Sequence, residues 1–114
     1  MDNDCIFCRI AAGEVGKLIY EDGEIAAFDD LDPQAPVHVL IIPKQHIVRI
    51  SDVTTDGACL MGKIMVVANQ IAAKRGIADE GYRIVVNCNE AAGQSVWHIH
   101  FHLLGGRKMT WPPG

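Results

Sequence analysis

Residues 93–107 read GQSVWHIHFHLLGGR and hold three of the chain's five histidines, His98, His100 and His102, each separated from the next by one apolar residue. Neutral imidazole can attack phosphorus or an acyl carbon near neutral pH, exchange protons there, or bind a metal. If residues 97–104 form a strand, side chains alternate between its faces, so His98, His100, His102 and Leu104 share one face. Trp97, Ile99, Phe101 and Leu103 take the other, which should turn towards the core. The histidine face is then a site or a wet surface, and a wet surface would carry mixed polar types. A single three-histidine metal site fits poorly, because same-face neighbours on a strand are about 6.5 Å apart and the outer two about 13 Å. That leaves a division of labour: one histidine as nucleophile or base, one as acid or orienter, one structural. Gly93, Gln94 and Ser95 precede the row and supply close backbone approach and polar groups suited to an oxyanion-holding loop.

The elements that must position this row can be read along the chain. CIFCRIAAGE predicts a short helix that stops at Gly13. KLIYED and EIAAFDD flank Asp22-Gly23, a hairpin turn. DPQAP is a stiff extended connection, because Pro33 and Pro36 fix their own φ and restrict the residue before each. PVHVLIIPK predicts a central strand that carries His38 on the same face as Leu40 and Ile42. Residues 56–75 predict the one long helix, with Leu60, Met61, Ile64, Val67 and Ile71 on its core stripe and Gly76 as its stop. YRIVVNCN and WHIHFHLL are the last two strands. The order of short helix, three strands, helix and two strands predicts an α+β fold with a mainly antiparallel sheet.

The 114 residues suggest a single domain, 1–114, and 49% apolar content supports a real core. A formal net charge of −4 argues against a binder of nucleic acid polymers, but not against a site for one phosphate held by backbone N–H groups. The opening MDNDCIFCRI has no secretory pattern, and no stretch approaches the roughly 20 apolar residues of a membrane span. The expected location is therefore cytoplasmic, where cysteines stay reduced. Cys59 and Cys88 sit in apolar patterns and read as small buried hydrophobes. Cys5-x-x-Cys8 is open between half of a zinc site, two idle thiols and a redox pair; the redox pair lacks the βαβ context that usually follows it.

GQSVWHIHFHLL resembles the His-x-His-x-His signature of the histidine triad (HIT) superfamily. IFCRI, FDDLDPQAPVHVLIIPKQH, GYRIVVNCN and the closing WPPG, in this order, resemble its HINT branch, the histidine-triad nucleotide-binding proteins. The resemblance implies a HIT-like fold with a five-stranded sheet, one long and one short helix, and a sheet that continues across a homodimer. It implies a purine nucleoside phosphoramidase acting on adenosine 5′-monophosphoramidate, whose P–N bond it would hydrolyse, or on an aminoacyl adenylate, through a covalent nucleotidyl-histidine.

By that resemblance His100 is the nucleophile, His102 a donor or general acid–base beside the phosphate, and His38 the buttress of the nucleophile. Ser95, Gln94, Gly93, Val96 and Asn87 match positions around the phosphate and leaving amine. Asp30, with Leu31 beside it, matches the carboxylate that holds the ribose hydroxyls; from the sequence alone a loop cap is an equal reading. Ile6, Phe7, Ile10, Phe28 and Leu40 match an apolar pocket for a purine, without strong choice between adenine and guanine.

Cys5-x-x-Cys8 departs from many HINT relatives but resembles a structural zinc half-site elsewhere in the superfamily, completed by His46 and His98. No catalytic metal or cofactor is implied. The implied homodimer would pair through the long helix and residues 82–88, with the WPPG tail and Trp111 reaching towards the partner's site. Two rivals remain: a dinucleoside-polyphosphate hydrolase or nucleotidyltransferase of the same superfamily, and a non-catalytic nucleotide- or zinc-binding interaction protein.

Overall fold

A computed structural model describes residues 4–114; the acidic opening at residues 1–3 lies outside them. The first element is α1 (Ile6–Ala11), whose N-cap is Cys5, with its sulfur accepting from the Cys8 backbone N–H. Gly13 ends it at φ 79°, a backbone region closed to most other residues. β1 (Tyr20–Glu21) and β2 (Ile25–Asp29) form the predicted hairpin. Asp22 makes the turn, its carboxylate accepting from the N–H groups of Glu24 at 2.7 Å and Ile25 at 2.8 Å. β3 (Val37–Pro43), α2 (Ala58–Lys74), β4 (Tyr82–Val86) and β5 (Phe101–Gly105) complete the chain. The five strands form one sheet in the order β1-β2-β3-β5-β4, with every neighbouring pair antiparallel. The fold is α+β, as the element order predicts.

Both faces of the sheet are covered, and this separates core from site. On one face α2 lays Ile64, Val67, Ala68, Ile71 and Ala72 over Ile25, Ala27, Val39, Ile41, Phe101 and Leu103. This is the apolar stripe read from the helical spacing, although Leu60 and Met61 are only partly buried. On the other face α1 sets Phe7 and Ala11 against Ala26, Phe28, Leu40 and Ile42. His38 and His102 take the parity of Leu40 and therefore belong to the α1 face. Register places Leu40 directly opposite His102 and His38 opposite Leu104. Among the described residues no helix is long and apolar enough to cross a membrane.

Three expectations need correction. The last strand is shorter than residues 97–104: β5 begins at Phe101. In the β3–β5 register Ile99 would face Pro43, which has no N–H to give, so the ladder ends there. Ile99 N–H instead donates to Ile47 O at 2.6 Å, and the imidazole of His98 occupies the Pro43 carbonyl. Trp97 consequently leaves the core face and is 45% exposed, with the Arg49 guanidinium over its ring. Finally, Cys59 is exposed and Cys88 only half-buried. Cys59 precedes Ile64 by five positions, about 140° around the helix from the buried stripe. Cys88 lies beyond the end of β4 and donates to Ser51 Oγ at 3.4 Å.

Candidate active site

His98, His100 and His102 are set apart by which ring nitrogen the backbone claims. A carbonyl oxygen can only accept, so any ring nitrogen bonded to one carries the proton in the neutral tautomer. His98 is fully buried and gives Nε2–H to Pro43 O at 2.7 Å, which leaves Nδ1 with a lone pair. Burial lowers its pKa, with the nearby His46 and His100 acting in the same direction. His100, also buried, does the opposite: its Nδ1–H donates to His98 O at 2.8 Å, so Nε2 carries the lone pair. Its ring meets the edge of Phe7, with centroids 5.1 Å apart.

His102 is paired with His38, which is buried on β3. The Gln34 N–H donates to His38 Nδ1 at 3.0 Å, so His38 carries its proton on Nε2. That proton faces His102 Nδ1 at 2.9 Å and Asp30 Oδ2 at 3.3 Å. His102 therefore accepts at Nδ1 and keeps its own proton on Nε2. Burial, followed by electrostatic repulsion from the neighbouring His100 and His38, pushes the His102 pKa down to about 4, against the opposing pull of Asp30. Near pH 7 this ring is a neutral hydrogen-bond donor.

Asp30 follows β2 directly, and its two oxygens divide their work. Oδ1 caps a turn by accepting from Asp32 N–H at 2.8 Å, while Oδ2 lies against His38. The loop-cap reading of this residue thus has its counterpart in the fold. The adjacent Asp29 carboxylate is held by the Arg75 guanidinium through two bonds, at 2.9 and 3.1 Å.

A cleft of about 510 Å³ opens beside this row, lined by Ile6, Phe7, Ile10, Phe28, Asp30, Leu31, Leu40, Ser95, Val96, His100 and His102. Leu31 is otherwise fully exposed. The lining joins an apolar wall to a polar end, as a pocket for one small molecule does. Asn87, Gly93 and Gln94 do not line it. Buried Gln94 instead ties loops together: its oxygen accepts from Asn89 N–H, and its amide donates to the carbonyls of Val48 and Val96. Val15, Gly16, Lys17, Ile19 and Asp29 also line the cleft and were not anticipated. A signal was available in their position. The segment joining α1 to the hairpin has to run past the sheet edge beside Phe28, and Ile19 N–H bonds Ala27 O there at 2.8 Å.

Next to the cleft, Cys5, Cys8, His46 and His98 converge, with their ligand atoms all within 4.8 Å of one another. His98 Nδ1 lies 3.4 Å from Cys5 Sγ and 3.5 Å from Cys8 Sγ, and His46 Nδ1 lies 3.2 Å from Cys8 Sγ. Tetrahedral zinc with ordinary Zn–S and Zn–N lengths would hold such atoms about 3.5 Å apart. The nitrogen that His98 presents is the one its backbone bond leaves unprotonated, and that bond is the outer-shell support that metal-bound imidazole favours. The donor set fits a structural Cys₂His₂ zinc.

A family model described as HIT domain matches residues 14–109. An uncharacterized HIT-like protein of Synechococcus elongatus is 46% identical over 115 residues, covering all of both chains. The crystal structure of a HIT family hydrolase from Legionella pneumophila superposes with a TM-score of 0.94 at 52% identity, covering 96% of this chain and 99% of that one. A histidine triad nucleotide-binding protein from Candida albicans superposes with a TM-score of 0.79 at 32% identity, covering 95% and 82%.

Proposed function

The chain belongs to the HIT family, and we propose that it is a purine nucleoside phosphoramidase that works through a nucleotide bound covalently to His100. The observation that carries this reading is the bond from His100 Nδ1–H to His98 O, which leaves Nε2 as a lone-pair donor on a residue that lines the cleft. Attack of that nitrogen on the α-phosphorus breaks the P–N bond, and the electron pair departs with the nitrogen, which leaves as an amine once protonated. Water then attacks phosphorus and releases a proton, which makes good the one taken by the departing amine, while the phosphorus–imidazole bond breaks and its electron pair returns to Nε2. Two modest displacements replace one difficult one.

Both displacements concentrate negative charge on the phosphoryl oxygens, and donors must wait for it. His102, neutral with its proton on Nε2, is one such donor; His38 fixes that tautomer. Ser95 supplies a second polar group on the lining. Ile6, Phe7, Ile10, Phe28 and Leu40 would enclose the purine, and Asp30 Oδ2 would accept from the ribose hydroxyls. Gln94 would act by shaping the loops. Cys5, Cys8, His46 and His98 would hold zinc, which when bound supplies a cross-link between chain segments. The names of the Legionella hydrolase and the Candida nucleotide-binding protein are in keeping with this assignment.

We also read the protein as a cytoplasmic homodimer joined through α2 and β4. β4 is half-buried along its whole length, and Val66 on α2 is exposed, which suits such a seam.

Intact-protein mass after rapid quench with adenosine 5′-phosphoramidate tests the chemistry. The expected result is a nucleotidyl adduct on wild type and on His98→Ala, but not on His100→Ala. No adduct and no consumed substrate in any of them would overturn the reading. Turnover of a diadenosine polyphosphate with none of the phosphoramidate would move the protein to the polyphosphate hydrolases.

A further inference from the structure

The Cys₂His₂ cluster and the nucleotide cleft share parts, and we propose that metal and nucleotide bind cooperatively, with His98 as the residue that links them. The inference rests on the nucleotide-binding part of the reading above. His98 belongs to both centres at once. Its ring nitrogen Nδ1 faces the sulfurs of Cys5 and Cys8, and its backbone oxygen holds the Nδ1–H of His100. A shift of His98 therefore moves the acceptor that fixes the tautomer of the nucleophile.

Two further connections run the same way. Cys5 caps α1 and Cys8 lies within it, on either side of Phe7. Phe7 lines the cleft and packs its ring against Phe28 and His100, with centroids 5.4 and 5.1 Å away. A helix of six residues is too short to persist alone, so its anchors decide where that wall stands. His46 opens the segment whose next two carbonyls hold the nucleophile's loop: Ile47 O accepts from Ile99 N–H, and Val48 O from the Gln94 amide. Residues 97–100 lie outside the sheet ladder, and His98 meets β3 through its side chain, at the Pro43 carbonyl. One ion held by all four ligands would bind α1, the segment after β3 and the nucleophile's loop into a single unit. Metal would order the cleft for nucleotide, and nucleotide would order the ligands for metal, by the same factor in both directions.

The test uses the full chain with Zn(II) and AMP, a ligand that is not turned over. AMP affinity is measured by calorimetry on zinc-loaded and on chelated protein, with an expected loss of about tenfold on chelation. Transfer of zinc to a chromophoric chelator is followed with and without saturating AMP, and AMP should slow it about tenfold. With Co(II) in place of zinc, AMP should shift the visible bands of the cobalt site, which a remote structural ion would not do. The transfer and cobalt arms use loaded protein, so they decide the matter even if the chelated chain unfolds. Equal AMP affinity and equal transfer rates, or failure to bind stoichiometric zinc, would overturn the coupling. None of these readouts depends on turnover. Coupling without phosphoramidate hydrolysis would sink the catalytic assignment alone, and hydrolysis with AMP binding blind to metal would sink the coupling alone.

Discussion

His98 and His100 are two residues apart, both buried, and both tied to a main-chain carbonyl, yet they face opposite tasks. His98 spends Nε2–H on Pro43 O and keeps Nδ1; His100 spends Nδ1–H on His98 O and keeps Nε2. The free nitrogen of His98 meets two thiols, while His100 borders an open cleft. The residue type is the same and so is the device. What differs is the nitrogen that the backbone claims and the neighbour that the other nitrogen is left to meet. Histidine chemistry here is decided by main-chain acceptors, which explains why the second of these residues depends on the placement of the first.

The comparison breaks if the two centres cannot be separated by mutation. His100→Asn keeps an N–H donor for His98 O and deletes the nitrogen proposed to attack phosphorus. Its kcat on adenosine 5′-phosphoramidate should fall by about ten-thousandfold or more, with AMP binding retained. Cys8→Ala should give the reverse pattern. Wild type at a zinc concentration a thousandfold above its Kd should gain about 4 kcal/mol over the metal-free chain, a gain the variant should lose, while an adduct should still form on His100. Urea midpoints with and without zinc, alongside quenched-flow mass spectra, check both. If Cys8→Ala loses the adduct as completely as His100→Asn, the row is one centre and not two.

A smaller effect sharpens the same contrast through pH. The folded pKa of His102 lies near 4, below the 6.5 of an unfolded histidine, because burial disfavours its charged form. Between these values the unfolded chain binds the extra proton. Stability is therefore undiminished above about pH 6.5, falls as pH drops towards 4, and loses nothing further from this group below that. The loss for this ring is on the order of 3 kcal/mol. His102→Gln keeps an acceptor for His38 Nε2–H and removes the titrating group, so its urea midpoint should fall much less than that of wild type between pH 7 and pH 5. His98, also lowered by burial, stays in the variant and acts in the same direction, so some acid slope should remain.

Much of this was legible in the sequence wherever local rules decide. The stripe on α2, the Asp22 turn and the β-branched run of β3 each follow from spacing or turn chemistry over a few residues. Most of the errors lie where distant residues intervene; Cys59 is the exception, since its place on the helix already turns it away from the buried stripe. The β5 ladder stops short of Pro43 on the neighbouring strand, and Trp97, beyond it, turns outward. The His38–His102 pair spans 64 positions, and no spacing rule announces it. Cys5 and Cys8 were visible as a half-site, but His46 and His98 joined them only through family resemblance, and the fold brings all four together. The Val15–Ile19 wall was missed because a loop's role depends on what it passes.

Asp30 supplies the finest test, since it borders both the cleft and the His38–His102 pair. Asp30→Asn keeps Oδ1 as the acceptor for Asp32 N–H and replaces Oδ2 by an amide that cannot accept from a hydroxyl. If Asp30 serves the ribose, losing that acceptor should cost about 2 kcal/mol, a rise in KM of roughly thirtyfold with kcat nearly unchanged. Wild type should discriminate against a 2′-deoxynucleoside phosphoramidate, and the variant should lose most of that discrimination. The charge change leaves His102 in its working form, because Asp30 is the influence that raises its pKa, and without it the ring is more firmly neutral. Should the variant instead lose kcat at constant KM, Asp30 would act through His38 Nε2, and the carboxylate would belong with the histidine pair rather than with the sugar.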